Sequence, residues 1–304
     1  MVVVDDDLIV CTRHRPRELR ECLETICAQT RIPRTVIVVD SSDDDYSEQV
    51  VRELRVRWSA SSSLVWIASA PGLVHQRIVG LSKTTHPIVH FVDDDTLLDP
   101  GYVAGVLAVF AADAREEIGG VGGYITNQPE RRCRRIDERL GLDSRREGVV
   151  LPSGRNVRVY GEPPGLVDVD WLPGCAMSYR RSVVEKEPPQ LPLDPALVGE
   201  DVEWSYRVSR HHRLVVTPGA RVVHLESPKG RRRGAELVHV ELVSRWHRVN
   251  AGTGHLSRRA FWISAWGQLI VYGITAIVTV SRHRWAVARG TTQGIREIFS
   301  RHRR

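Results

Sequence analysis

The sequence predicts an α/β protein with a mostly parallel central sheet and helices on both faces. Over residues 1–125, short β-branched runs alternate with stretches whose apolar residues recur every three or four positions. Repeated β–α–β units of this length are typical of parallel strands joined by crossover helices. With 304 residues, 42% of them hydrophobic, the chain is too apolar to be disordered. It is long enough for one large domain with an appendage, or for two small domains.

Four strands are predicted early in the chain, at 8–11, 35–39, 64–68 and 87–92. Polar clusters follow three of them directly: Thr12-Arg13, Asp40-Ser41-Ser42 and Asp93-Asp94-Asp95. Ligands of such sheets bind beyond the carboxyl ends of the strands. We therefore expect these three clusters to form one site.

The second half of the chain is less regular. Residues 128–165 show little periodicity, which indicates a surface excursion. Order returns over 167–179, and a helix is predicted from Glu200 to His212. Two short strands, Leu214–Thr217 and Ala220–Leu225, are predicted next, and helical patterns continue to the end.

The cysteines and the N-terminus bear on the compartment. Five scattered cysteines without a CxxC pair argue against a disulfide framework or a zinc ribbon, so we expect a reducing compartment. The first residues, MVVVDDD, have neither a basic region nor a long apolar run. No secretory signal is expected there, which favours the cytoplasm.

The acidic triplet is the strongest single chemical signal. Asp93 and Asp95 are two residues apart, so in extended backbone both point to the same side. Carboxylates at a strand end suit a hard divalent cation such as Mg²⁺ or Mn²⁺. The alternative is a solvated acidic turn ahead of a helix near Asp99.

Six ordered segments together resemble the inverting glycosyltransferases of family 2, which have the GT-A fold: IVCTRHRP, VIVVDSSD, GLVHQRIVGL, HFVDDD, WLPGCAMSYRR and GEDVEWSYRV. The resemblance covers roughly residues 8–226. It implies a catalytic domain over 1–226, with a nucleotide-binding half at 1–125 and an acceptor-binding half at 126–226. Residues 227–304 would then be a basic and apolar helical extension.

The resemblance implies that one group of residues binds the nucleotide sugar: Thr12, Arg15, Asp40, Ser42, Gln76, Arg77, Asp93 and Asp94. Asp40 suits this role because a carboxylate can accept a hydrogen bond from a pyrimidine imide, although an ordinary strand-end turn also fits it. Ile78 departs from the family pattern, which commonly has Asn after the arginine.

The resemblance also implies a metal site and a base. Asp95 would bind Mn²⁺ or Mg²⁺ with His224 as a second ligand. The alternative for His224 is a hydrogen-bonded core or turn residue, which a lone histidine is more often than a metal ligand. Asp201 would be the general base, with Glu200 as the fallback. Ordinary capping of a helix N-terminus explains the same acidic pair.

The family pattern places three further residues on the acceptor side. Trp171 would pack on a sugar face, Gly174 would permit close approach, and Cys175 follows in the same loop. Plain core packing is the alternative for Trp171.

The C-terminal segment combines positive charge with an apolar run. Residues 226–304 contain 15 Lys and Arg against 4 Asp and Glu, and 260–281 carry no charge. The run is long enough to span a bilayer, but its polar residues fall on one helical face. We expect 257–304 to bind the cytoplasmic membrane surface as a monotopic anchor. A single transmembrane helix and a buried helix pair are the alternatives.

The resemblance, together with the acidic triplet, implies an inverting, metal-dependent glycosyltransferase. Its donor would be a UDP, dTDP or GDP sugar, and its acceptor a hydroxyl of a lipid-linked or cell-envelope glycan. A sugar nucleotidyltransferase is the alternative enzyme, but the turn after the first strand lacks the glycine-rich loop of that class. A nucleic-acid-binding protein would need aromatic residues among the basic ones, so no nucleic-acid partner is expected.

Overall fold

The computed structural model describes residues 5–128, 133–192, 194–228, 232–252 and 254–301. Residues 1–4, 129–132 and 302–304, which belong to the predicted N-terminal, 128–165 and 257–304 segments, lie outside this description.

The described residues form two compact units. Unit 1 comprises those within 1–130, 159–191 and 204–229, and unit 2 those within 131–158, 192–203 and 230–304. Two segments that precede residue 226 in the chain thus belong to unit 2. The division into a catalytic domain up to residue 226 and a C-terminal extension stays a prediction.

Unit 1 contains a sheet that has nine strands in the described residues: β1 (Asp6–Thr12), β2 (Thr35–Asp40), β3 (Ser63–Ala68), β4 (Ile88–Asp93), β5 (Thr96–Leu98), β6 (Ile118–Ile125), β7 (Val167–Val169), β8 (Ala176–Arg180) and β9 (Arg213–His224). Their order is β3-β2-β1-β4-β8-β6-β9-β5, with β7 also beside β9. Strands β3, β2, β1 and β4 are parallel to one another, as are β6 and β9. β8 is antiparallel to both its neighbours, and β5 and β7 are antiparallel to β9. The α/β fold class is confirmed, with a sheet that is mixed.

The predicted pair of short strands after residue 212 is wrong in one respect. The segment is one strand, β9, which continues through Pro218 and Gly219. Its pairing with β6 is irregular at this point, between Gly123 and Tyr124, and this accommodates the proline without ending the strand.

The helices of the described residues are α1 (Pro16–Cys27), α2 (Tyr46–Arg55), α3 (Leu73–Leu81), α4 (Tyr102–Ala112), α5 (Arg135–Arg139), α6 (Arg181–Lys186), α7 (Glu200–Val208), α8 (Gly234–Asn250), α9 (Arg258–Thr279) and α10 (Arg282–Arg301). The predicted helix from Glu200 is confirmed, but it ends at Val208 rather than His212.

The core of unit 1 lies on both faces of the sheet. Successive residues of β1 point to opposite faces, so Leu8 and Val10 pack against Leu19 and Leu23 of α1. The intervening Ile9 belongs to the cluster on the other face, which contains Phe91, Tyr179 and Trp204. Burial on both faces explains why the parallel strands appear in the sequence as continuous apolar runs.

Unit 2 has its own core between α8, α9 and α10. Its centre is formed by Leu242, Trp246, Phe261 and Ile298. Gly290 of α10 allows this close packing, because a Cβ there would collide with the carbonyl of Ala235 in α8. The helical patterns predicted after residue 234 are therefore confirmed as a packed helical cluster.

Candidate active site

Three strand ends lie side by side at one edge of the unit 1 sheet. The register pairs Thr12 of β1 with Asp40 of β2, and Cys11 with Asp93 of β4. Because these strands are parallel neighbours, their carboxyl ends are nearly level. The structure thus brings together the three polar clusters that follow β1, β2 and β4.

Strand pairing also places His224 beside the acidic triplet. β5 follows Asp95 directly and pairs antiparallel with β9, so Thr96 lies opposite His224. The Nε2 atom of His224 lies 3.2 Å from Oδ1 of Asp95. Asn127 fixes the histidine backbone on both sides: its Nδ2 donates to the His224 carbonyl at 2.8 Å, and its Oδ1 accepts from the His224 N–H at 3.1 Å.

Asp94 and Asp95 are buried with donors on several sides. Thr12 Oγ1 donates to Asp94 Oδ2 at 2.8 Å, and Arg15 Nη1 donates to Asp94 Oδ1 at 3.0 Å. The N–H of Ser227 donates to Asp95 Oδ2 at 2.9 Å. Burial raises the pKa of Asp94 to about 7, although Arg15 and Thr12 both act to lower it. The edge therefore holds carboxylates that gain from an added positive charge.

The pKa of His224 is also shifted by its neighbours at this edge. Burial would lower the pKa of His224, but the hydrogen bond to Asp95 and the neighbouring Cys175 outweigh it, and the pKa rises to about 10. Without another cation, this histidine therefore holds a proton at neutral pH.

Asp93, Asp95 and His224 form a group that could hold a metal ion. One ligand atom from each lies within 4.8 Å of the others. Two carboxylates with one imidazole suit Mn²⁺ or Mg²⁺. The donor set fits a divalent cation, which would take the place of the proton on His224.

Asp40 is buried at the end of β2 and has hydrogen bonds on both oxygens. Oδ1 accepts from the N–H and the hydroxyl of Ser42, at 2.9 and 2.6 Å. The indole Nε1 of Trp66 approaches Oδ2 at 3.3 Å. The N–H of His14 donates to Ser42 Oγ at 2.7 Å, which joins the loops after β1 and β2. Asp40 thus shapes its turn and also faces the strand-end edge.

Gln76 and Arg77 of α3 are both buried against this edge. Gln76 Nε2 donates to the carbonyls of Thr12 and Val39, at 2.9 and 2.8 Å, and so joins the ends of β1 and β2. Arg77 Nη2 lies 3.4 Å from Asp93 Oδ1 and 3.3 Å from the Gly174 carbonyl.

The loop at 171–175 lies in unit 1, beside Asp93. Trp171 and Cys175 are both buried. The carbonyl of Gly174 contacts Arg77, and the carbonyl of Cys175 accepts from the Asp93 N–H at 3.4 Å. This loop therefore supports the acidic triplet through its main chain.

Glu200 and Asp201 are the first two residues of α7 and belong to unit 2, whereas the other predicted site residues belong to unit 1. Gly199, just ahead of them, has the left-handed φ of +80°, which favours glycine. Asp201 Oδ1 accepts from the N–H of Val202 at 2.9 Å.

Three residues at the strand-end edge were missed by sequence reasoning: Asn127, Ser227 and Trp66. Trp66 and Ser227 each contribute one donor, and Asn127 contributes one donor and one acceptor, all from other parts of the chain. No spacing or residue pattern distinguishes them, because only the tertiary fold brings them to Asp40, Asp95 and His224.

Comparison with known proteins identifies the class. Residues 7–186, more than half of the chain, match the model of the family described as glycosyl transferase family 2. The chain belongs to glycosyl transferase family 2 and is a glycosyltransferase. This family assignment decides against the nucleotidyltransferase alternative. Curated proteins gave no sequence match.

Solved structures of similar fold have low sequence identity to this chain. The mannosyltransferase PcManGT from Pyrobaculum calidifontis, in complex with GDP-Man and Mn²⁺, is 15% identical with a TM-score of 0.60, over 97% of this chain and 89% of that one. TarS 1-349 from S. aureus, in complex with UDP-GlcNAc, is 15% identical with a TM-score of 0.54, over 89% and 71%. GalNAc-T7 with UDP, GalNAc and Mn²⁺ is 16% identical with a TM-score of 0.57, over 79% of this chain and only 49% of that one. The chain therefore spans about half of GalNAc-T7.

Proposed function

We propose that this glycosyltransferase is inverting and metal-dependent. It moves a sugar from a nucleoside diphosphate to a hydroxyl of a lipid-linked or cell-envelope glycan at the cytoplasmic membrane face. The observation that supports the metal-dependent reaction best is the Asp93, Asp95 and His224 group at the strand ends, beside Asp40 and Arg15. Family 2 membership supports the reaction class.

The donor binds along the edge formed by β1, β2 and β4. Asp40 and Ser42, with Thr12, accept the nucleoside, and Arg15 and Arg77 face the diphosphate. The structural neighbours were solved with UDP or GDP compounds, so we place the donor among the UDP, dTDP and GDP sugars. Gln76 joins the ends of β1 and β2 through two carbonyls, and Asp93 and Asp94 complete the pocket.

Asp95 and His224, with Asp93, are the residues that would hold Mn²⁺ or Mg²⁺ here. Such a cation supplies positive charge to the diphosphate as the leaving group departs. Arg15 lies beside these residues, with Nη1 3.0 Å from Asp94 Oδ1 and 3.5 Å from Asp95 Oδ2.

Asp201 is proposed as the general base, with Glu200 as the alternative. An inverting displacement needs a base that takes the proton of the acceptor hydroxyl, on the side opposite the leaving group. The acceptor would lie against the 171–175 loop, where Trp171, Gly174 and Cys175 stand.

The membrane proposal is supported by the two faces of α9. This helix is the one helix of the described residues that is long and apolar enough to cross a bilayer. One face packs within unit 2 through hydrogen bonds: Gln268 contacts Thr291 of α10 at 2.7 Å and Arg155 at 2.6 Å. The other face is exposed and apolar: Ile263, Trp266, Ile270, Ile274 and Ile277.

The spacing and charge of this exposed face favour attachment parallel to the membrane. Its residues recur at intervals of three or four, which forms a continuous stripe along the helix. Arg258 and Arg259 precede it, Arg282 and Arg284 follow it, and no acidic residue occurs between 258 and 296. A helix that crossed the bilayer alone would have to leave the partners of Gln268, whereas a helix lying in the interface keeps them. We therefore propose anionic lipid as the partner of this stripe.

A donor screen tests the proposed reaction. UDP-, dTDP- and GDP-sugars are incubated with the protein, with and without Mn²⁺, and nucleoside diphosphate release and the anomeric form of the product are measured. We expect release from one nucleotide class only, dependent on the cation, with an inverted product. Release that is unaffected by chelation, or a retained configuration, would contradict the proposal.

A further inference from the structure

Helix α8 holds the two residues that immediately precede the acidic pair of α7. Ser244 Oγ accepts from the N–H of Val198 at 2.9 Å, and Arg248 Nη2 donates to the carbonyl of Gly199 at 3.1 Å. Ser244 and Arg248 are one helical turn apart, so they lie on the same face of α8. Val198 and Gly199 are thus fixed from one surface, directly before Glu200.

Arg248 joins this segment to a second loop. Its Nη1 donates to the carbonyl of Gly154 at 2.6 Å, and the side chain is almost fully buried. Both loop residues are glycines with left-handed backbone, φ +80° at Gly199 and +75° at Gly154. A Cβ on Gly199 would stand only 2.8 Å from Arg248 Nη2. The guanidinium therefore packs closely against both glycines.

The charge of Arg248 also acts on the first turn of α7. Burial lowers the pKa of Arg248, and the carboxylates of Glu203, Asp201 and Glu200 act in the opposite direction. The arginine is thus a buried cation close to three acids. Its planar guanidinium holds two donor nitrogens in fixed directions toward two carbonyls, whereas a lysine has a single nitrogen without this preset geometry.

We propose that Arg248, supported by Ser244, is a positioning residue that fixes the start of α7 and with it the orientation of the Glu200–Asp201 pair. This inference rests on the proposed function, in which one of these acids is the general base. It gives helix α8, outside the family match, a part in catalysis.

Arg245 provides a matched control on the same helix. It is buried like Arg248, but its Nη2 donates to the Ser153 carbonyl and to Ser264 Oγ, away from the residues ahead of α7. Arg248→Met and Arg245→Met each remove one buried guanidinium from unit 2. A purely structural role predicts the same outcome for both.

The experiment compares turnover, Mn²⁺-dependent binding of the donor nucleotide, and melting temperature in these variants. We expect Arg248→Met to lower kcat about 100-fold, the typical cost of a misplaced reactive group, with nucleotide affinity unchanged. Arg245→Met should melt at a similarly reduced temperature with kcat near wild type. Arg248→Lys should recover part of kcat, and Ser244→Ala should lower it less than Arg248→Met.

Equal kcat in Arg248→Met and Arg245→Met would overturn the proposal, as would a parallel loss of kcat and nucleotide affinity. If Arg248→Met does not fold, Arg248→Lys and Ser244→Ala against Arg245→Lys provide the same comparison. Asp201→Asn and Glu200→Gln in the same assay separate a failure of the proposed base from a failure of the positioning role. If both keep wild-type turnover, the proposed base is wrong, whereas loss in Asp201→Asn with no effect of Arg248→Met contradicts only the positioning role.

Discussion

Unit 1 buries the carboxylates of Asp94 and Asp95 at the ends of its strands, whereas unit 2 buries the guanidiniums of Arg245 and Arg248 among its helices. The partners differ as much as the charges do. The carboxylates have side-chain partners that include Arg15 and His224, and the arginines donate mostly to main-chain carbonyls.

This difference indicates what each region can do. Clustered buried carboxylates strongly favour an incoming cation, because desolvation penalises every uncompensated charge. A guanidinium whose donors are used on carbonyls instead fixes the loops that carry them. The strand-end edge of unit 1 therefore suits ligand binding, and the interior of unit 2 suits positioning of the segments around it.

The largest effect should come from Asp201, in the first turn of α7. Asp201→Asn keeps the shape of the side chain and its capping ability but cannot take a proton. We expect turnover to fall by about 10²- to 10⁴-fold, as for a lost general base, while nucleotide binding stays unchanged. Steady-state kinetics and nucleotide titration measure the two quantities.

Glu203→Gln, in the same helical turn, is the control for Asp201→Asn and should turn over normally. Near-normal turnover of Asp201→Asn itself would leave only the capping role for this residue and move the base assignment to Glu200.

The exposed face of α9 should show the next largest effect. Replacing Ile270 and Ile274 by Asp removes apolar area from the centre of the stripe and adds repulsion from anionic lipid. Affinity for vesicles that contain anionic lipid should fall about 10-fold or more per substitution. Vesicle flotation measures it.

Val56→Asp is the matched control, since Val56 is 91% exposed in unit 1, and it should not change flotation. Wild-type protein that does not float with anionic vesicles would contradict the membrane proposal. Protein that alkaline carbonate cannot extract from cell membranes would favour the transmembrane alternative.

The smallest effect concerns the start of β1, away from the strand-end edge. Asp7 accepts hydrogen bonds from the N–H groups of Thr85 and His86, at 2.7 and 2.9 Å, and from the His86 ring. Burial would raise the pKa of Asp7, but these bonds outweigh it and hold the pKa below its usual value. Its stabilisation is therefore complete above the unfolded-state pKa and is lost as the pH falls through the lower, folded-state pKa.

Asp7→Asn should accordingly reduce the free energy of unfolding of unit 1 by about 1–3 kcal/mol at pH 7. The difference from wild type should shrink in acid, as measured by denaturant unfolding at a series of pH values. Asp5→Asn, at a more exposed neighbour, should have a smaller effect. A deficit for Asp7→Asn that grows in acid would contradict the assigned sign.

The sequence predicts which acidic residues lie at the strand-end edge better than it predicts which side chains contact them. Asp40 and Asp95 follow apolar, β-branched runs, and the local pattern alone places such residues at strand ends. The partner of Asp95 could not be derived in this way, because His224 reaches it only through the pairing of β5 with β9, some 130 residues along the chain. The family resemblance provided that pair, and the structure shows the two side chains in contact.

The contacts of Gln76 and Arg248 were not predictable for a related reason. The sequence makes Gln76 a donor-binding candidate, and it does not indicate that the amide contacts two main-chain carbonyls at strand ends. Arg248 appeared only as one charge in a basic tail, since burial inside a helical cluster depends on packing. Sequence periodicity indicates which face of a helix is apolar, but it does not indicate which polar group is enclosed beneath it.

The most direct test of the central claim is calorimetric titration of UDP, dTDP and GDP into wild type and Asp95→Ala, with and without Mn²⁺. The account predicts that one nucleotide binds wild type more tightly when Mn²⁺ is present. In Asp95→Ala, nucleotide affinity in the presence of Mn²⁺ should be about 100-fold or more lower than in wild type. Removing even a group that only supports a metal ligand typically lowers metal affinity 10- to 100-fold. The exposed-acid control Asp168→Ala should retain the metal-linked gain. Nucleotide binding by Asp95→Ala that still tightens with Mn²⁺ as in wild type would contradict the assignment of the strand-end edge as the metal and donor site.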